Sequence, residues 1–79
     1  MNHEETYNQA FFIKVSARIK ELRIAKGYSN YEHFAFKFGF SRSQIARYEK
    51  GEDLRLSTLV RILVALEVSP KEFFKGFDL

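Results

Sequence analysis

The stretch Ser29-Asn30-Tyr31-Glu32-His33-Phe34-Ala35-Phe36-Lys37-Phe38-Gly39-Phe40-Ser41-Arg42-Ser43-Gln44-Ile45-Ala46-Arg47-Tyr48-Glu49-Lys50-Gly51 decides the fold. It reads as two short helices joined by a tight turn. The first opens on Ser29-x-x-Glu32, a capping box in which each side chain satisfies a backbone N–H left free at a helix start. Phe34, Ala35 and Phe38 fall on its inward face, and Gly39 ends it with a positive φ that has no Cβ clash. The second opens on Ser41-x-x-Gln44, another capping box, turns Ile45 and Tyr48 inward, and closes at Gly51. Small Ala35 lets the two helices cross closely, and Phe40 pins the turn into the core. The other face of the second helix is then left to solvent, and its start, Ser41-Arg42-Ser43-Gln44, is a run of small and basic groups fit to touch DNA.

Working outward, Phe12, Val15, Ile19 and Leu22 form one stripe, which predicts a helix from Phe11 to Lys26 with Gly27 as its left-handed cap. Residues 1–10 are polar and lack a period, so a flexible tail is expected there and a domain over 11–79. Downstream of a charged loop at 52–56, Ser57 is expected to cap a fourth helix with Leu59, Ile62, Leu63 and Leu66 inward. A fifth opens on Ser69-Pro70-Lys71-Glu72, a cap followed by proline at the first helical position, and carries Phe73, Phe74 and Phe77. No alternating strand pattern, internal repeat or low-complexity segment competes. The expected fold is all-α: five helices with short connections.

A chain of 79 residues is one domain, and it buries only roughly 60–65 % of its unfolded surface. Nine phenylalanines compensate, because aromatic rings bury the most area per residue. With no cysteine, disulfides and thiolate zinc sites are excluded. His3 and His33 lack ligand spacing, so no metal is expected. Glu4-Glu5 and Glu52-Asp53 read as solvated pairs, and no nucleophile set or phosphate-binding glycine loop appears, so neither an enzyme nor a cofactor is expected. The net charge of +3 suits a polyanion without demanding one. Phe11-Phe12-Ile13, preceded by acidic residues, is too short for a signal core, and no apolar run nears a membrane span. A cytoplasmic protein is the expectation.

Arg18-Ile19-Lys20-Glu21-Leu22-Arg23, Lys26-Gly27-Tyr28, the run from Ser41 to Gly51, and Leu59, Ile62, Leu66 and Val68 together resemble the lambda-repressor-like, XRE class of helix-turn-helix regulators. The resemblance covers about Val15 to Phe74. It implies a compact five-helix domain that binds double-stranded DNA with the third helix, residues 41–50, in the major groove. Carried over by position, Arg42, Ser43, Ala46 and Arg47 face bases. An arginine can pair with guanine O6 and N7, a serine can meet several base edges, and alanine can touch a thymine methyl. Ser41, Gln44, Lys50 and Arg55, with Ser29, Asn30 and Tyr31 at the start of the second helix, become candidates for the DNA backbone. The family also implies an ion pair between Arg23 and Glu49 that ties the first helix to the third. Between Gly27 and Gly39 this chain carries one residue more than the usual spacing, so Asn30 or Tyr31 stands where a glutamine is common.

Leu59, Val60, Ile62, Leu63, Val64 and Leu66 make the fourth helix apolar nearly all round, so it needs cover on several sides. A homodimer using Val64, Phe73, Phe74 or Phe77 is one way to supply it. The leading expectation is a transcriptional repressor that binds a partly palindromic operator as a dimer. The alternative is a protein-interaction module, such as an antitoxin with secondary DNA binding, that would use Phe11, Phe36 or Phe77 as contacts. Lys26, Lys37 and Arg61 read as ordinary surface charges.

Overall fold

The computed structural model describes residues 3–78. Five helices follow one another: α1 (His3–Ala25), α2 (Tyr31–Phe38), α3 (Arg42–Tyr48), α4 (Leu56–Leu66) and α5 (Pro70–Phe73). No strand occurs among the described residues. Every helix sends at least one fully buried side chain to a common core: Ile19, Phe34, Ile45, Ile62 with Leu66, and Phe73. Each such side chain contributes about 1.5–3 kcal/mol through burial. Phe34 is the aromatic hub, with ring centres 5.0 Å from Phe38, 5.6 Å from Tyr28 and 6.3 Å from Phe40.

α1 corrects the expected tail at residues 1–10. The helix begins at His3 and runs unbroken through the expected boundary, while residues 1 and 2 lie outside the described ones. Glu4 and Glu5 occupy its first turn, where carboxylates complement the helix dipole. Tyr7 stacks on Phe11 at 6.5 Å. Once Phe11–Ala25 is helical, extension upstream needs no new nucleus and costs little. Residues 3–10 are all exposed, which is why no apolar period announces them.

The α1–α2 connection corrects the first capping box. Gly27 takes φ 99°, and the Tyr28 N–H donates to the Arg23 carbonyl at 3.1 Å, closing α1. The chain needs Tyr28 for that closure, so α2 starts one residue later than Ser29-x-x-Glu32 predicts. Asn30 is the cap, and its side chain accepts from the Glu32 N–H at 2.7 Å.

At the α2–α3 turn Gly39 takes φ 77°, and the Phe40 N–H donates to the Ala35 carbonyl at 2.9 Å. Arg61, read from sequence as a surface charge, braces this turn. Its guanidinium stands 4.2 Å from the Phe40 ring centre and donates to the Gly39 carbonyl at 3.0 Å. α3 then begins with both halves of the Ser41–Gln44 capping box formed.

α4 begins at Leu56 with Arg55 as its cap residue and no side-chain cap bond, so Ser57 lies inside the helix rather than before it. Ser69 caps α5 by accepting the Glu72 N–H at 3.1 Å, with Pro70 at the first helical position. Arg18 ties α1 to this C-terminal segment. Its Nε donates to the Phe73 carbonyl at 2.7 Å and its Nη2 to the Lys75 carbonyl, satisfying acceptors that a helix end leaves open.

Phe73 is 0 % exposed and cannot belong to a dimer surface. Phe74 and Phe77 are half-buried, with ring centres 6.1 and 6.0 Å from Phe11. α5 and the residues after it therefore close the monomer. The same packing leaves Phe11 and Phe77 half-buried rather than fully exposed.

Candidate nucleic-acid interface

α3 is seven residues long, and its position is held at three points. Ile45 and Tyr48 are buried beneath it. The capping box fixes its start, with the Gln44 N–H donating to Ser41 Oγ at 3.1 Å and the Ser41 N–H donating to Gln44 Oε1 at 2.9 Å. Its end is tied to α1 by Arg23, whose Nε and Nη2 donate to the two Glu49 carboxylate oxygens at 2.7 and 3.0 Å. Arg23 is 3 % exposed and spends its remaining Nη1 on the Tyr28 carbonyl. Such a pair aligns elements more than it stabilises them, because desolvation offsets most of the attraction.

This mounting leaves one edge of α3 to solvent. Ser41, Arg42, Ser43, Arg47 and Lys50 are exposed, and Gln44 and Ala46 are half-buried. Ser43 Oγ lies 3.3 Å from Ser41 Oγ. Gln44 spends its carbonyl on the cap, which leaves the amide N–H groups for an anion. Arg47 makes no ion pair among the described residues. Arg42 Nη1 donates to Glu32 Oε2 on α2 at 3.0 Å. That hydrogen bond, then the charges of Glu32 and Tyr31, hold the guanidinium above its ordinary pKa.

The candidate backbone contacts divide into two groups. Ser29, Tyr31 and Lys50 line a notch of about 390 Å³ with Lys20, Arg23, Ala46 and Glu49. Lys20 was not among the sequence candidates. The usable signal was its spacing, because it stands three residues before Arg23 and so shares the α1 face that meets α3. Asn30 is exposed but commits its side chain to the α2 cap. Arg55 lies apart, in a second cavity of about 390 Å³ with Gln44, Arg47, Thr58 and the acidic pair Glu52 and Asp53.

Other surfaces carry less chemistry. Phe36 is 87 % exposed beside Glu32 and Arg42 on a cavity of about 450 Å³. On α4, Leu56, Val60 and Val64 are exposed along one side, and Val60 and Val64 line a cavity of about 320 Å³ with Phe38, Arg61 and Ala65. Among the described residues no cluster of histidines and carboxylates could hold a metal ion. No helix there is long and apolar enough to cross a membrane.

Residues 19–73 match a family model described as helix-turn-helix, a span of more than half the chain that takes in the core of α1 through α5. No curated protein and no solved structure matches the chain.

Proposed function

The chain belongs to the XRE-like helix-turn-helix family of DNA-binding domains, and from that premise we propose that it is a cytoplasmic transcriptional repressor acting as a homodimer. Each copy inserts α3 in the major groove of a partly palindromic operator. The carrying observation is the solvent edge of α3: Arg42, Ser43 and Arg47 project from a helix whose other face is locked by Ile45, Tyr48 and Arg23–Glu49. Two guanidinium groups on a rigid helix are suited to guanine edges, and Ala46 to a thymine methyl. Lys20, Lys50, Ser29 and Tyr31, around one notch, are suited to a phosphate beside it. Gln44 can donate to a second phosphate, and Arg55 is a more distant cation. Asn30 contributes through its backbone, since its side chain is taken.

The dimer seam is the exposed apolar side of α4, formed by Leu56, Val60 and Val64. Two half-sites would then be separated by one helical turn, roughly 34–36 Å. Phe36, exposed beside the DNA-facing edge, favours a second reading as a protein-interaction module with secondary DNA binding.

The two readings part in one experiment. Bound sites are selected from a random duplex pool with the natural chain and with an Arg42→Ala/Arg47→Ala variant. An enriched palindrome with guanines at fixed positions, lost in the variant, supports the repressor. Absence of enrichment, or binding that is salt-sensitive but blind to sequence, overturns it and leaves the interaction module.

A further inference from the structure

Glu32 places its carboxylate where the fold does not need it. It lies on α2, yet it meets the first residue of α3 across the turn, with Oε2 3.0 Å from Arg42 Nη1. Its backbone N–H, not its side chain, serves the α2 cap, because Asn30 is the cap residue. Both partners are exposed, the Glu32 side chain at 49 % and that of Arg42 at 71 %. An ion pair so open to water adds little to folding. An acidic group at the edge of a surface meant for phosphates also weakens attraction to DNA. Neither stability nor general affinity accounts for it.

Selectivity does. Nη1 is the only atom of the Arg42 guanidinium with a hydrogen-bond partner among the described residues. Nε and Nη2 stay open, and those two donors form the side-on fork that fits guanine O6 and N7. Arginine has a long flexible stem, so an unheld Arg42 would sample phosphates and several base edges. A carboxylate on Nη1 limits that sampling and leaves the guanine-matching edge forward. When DNA covers the pair and excludes water, the attraction strengthens because screening falls.

We propose that Glu32 is a positioning residue for base recognition, holding one edge of Arg42 so that the other reads a guanine. The inference rests on the base-reading role given above to Arg42. It separates two quantities that usually move together. Losing Glu32 lowers discrimination at one base pair while raising affinity for DNA of arbitrary sequence.

The test compares the natural chain, Glu32→Ala, Glu32→Gln and Arg42→Ala in site selection, followed by titrations on the selected duplex, on single-base variants of it, and on a scrambled duplex. The expected result is that Glu32→Ala loses about threefold in discrimination at the same base pair that Arg42→Ala makes indifferent, and at no other. Glu32→Gln, which keeps an acceptor, loses less. Both Glu32 variants bind the scrambled duplex more tightly than the natural chain does. Unchanged discrimination in Glu32→Ala, on a site whose guanine still depends on Arg42, overturns this inference and leaves the function intact. A uniform loss across all sequences also overturns it, since that is the mark of a merely structural residue. No selected site with the natural chain, or none whose guanine depends on Arg42, removes the base-reading role and this inference together.

Discussion

Two arginine–glutamate bridges flank α3, and they have the same chemistry with opposite surroundings. Arg23–Glu49 is nearly closed to solvent, with side chains 3 % and 10 % exposed. Arg42–Glu32 is open, at 71 % and 49 %. The first engages all three guanidinium nitrogens. The second uses one and keeps two. Burial thus divides the labour. A saturated arginine is committed to the fold, and an unsaturated one is available to a ligand.

Substitution at the buried bridge has the largest expected effect. Arg23→Ala leaves the Glu49 carboxylate enclosed without a partner, which costs about 3–5 kcal/mol. In a domain whose whole stability is of order 5–15 kcal/mol, denaturant titration would read that as a large drop in the unfolding midpoint. Arg23→Met with Glu49→Leu removes both charges and should recover much of the loss. Should the double variant prove as unstable as the single one, the bridge supplies more than alignment.

Arg42→Ala is the mirror experiment and comes next. Its unfolding midpoint should match that of the natural chain, because the side chain is exposed and its only partner is exposed. Binding to the selected site should fall about 10- to 100-fold, concentrated at one base pair. A lowered midpoint would erase the contrast between the bridges.

That contrast also separates what the sequence could reveal from what it could not. The α2–α3 unit was legible because its signals are local: a positive-φ glycine at 39, a capping box at Ser41–Gln44 and a short inward face at Ile45 and Tyr48. Residues 3–10 were not, because an exposed extension of an existing helix needs no apolar period. The α2 cap fell on Asn30 rather than Ser29 because closing α1 consumes Tyr28, a competition that pattern matching does not see. Phe73, Phe74 and Phe77 were ambiguous because α5 has only four residues, too few for periodicity to assign a face. On the interface, the candidates at Arg42, Ser43 and Arg47 came from the family resemblance, carried over by position along one helix. Lys20, Glu32 and Arg61 act across elements, and spacing within a segment carries no direct record of that.

A smaller effect is expected at Lys20. It lines the notch with Lys50, Ser29 and Tyr31 and faces no carboxylate that bridges to it among the described residues. Lys20→Ala should weaken binding by a few-fold on every sequence alike and reduce the slope of log affinity against log salt by about 1. It would behave as neither bridge does, altering neither the fold nor the choice of base. A sequence-dependent loss would move Lys20 from the phosphates to the bases.

The smallest effect concerns a third glutamate bridge, Lys26–Glu67, at 3.1 Å with side chains 35 % and 75 % exposed. Glu67 caps α4 in the left-handed conformation at φ 58°, the one non-glycine residue with positive φ among those described. Here an exposed attraction competes with backbone strain on the same residue. The left-handed conformation costs an L-residue roughly 1–2 kcal/mol, whereas an exposed pair returns about 0.2–1 kcal/mol. Part of the strain relief is lost to the greater unfolded-state freedom of glycine. Glu67→Gly should therefore stabilise the domain slightly, by about 0.5 kcal/mol, with DNA binding unchanged. A measured destabilisation would mean that the Lys26 bridge outweighs the strain, and that exposure alone does not decide which bridges support the fold.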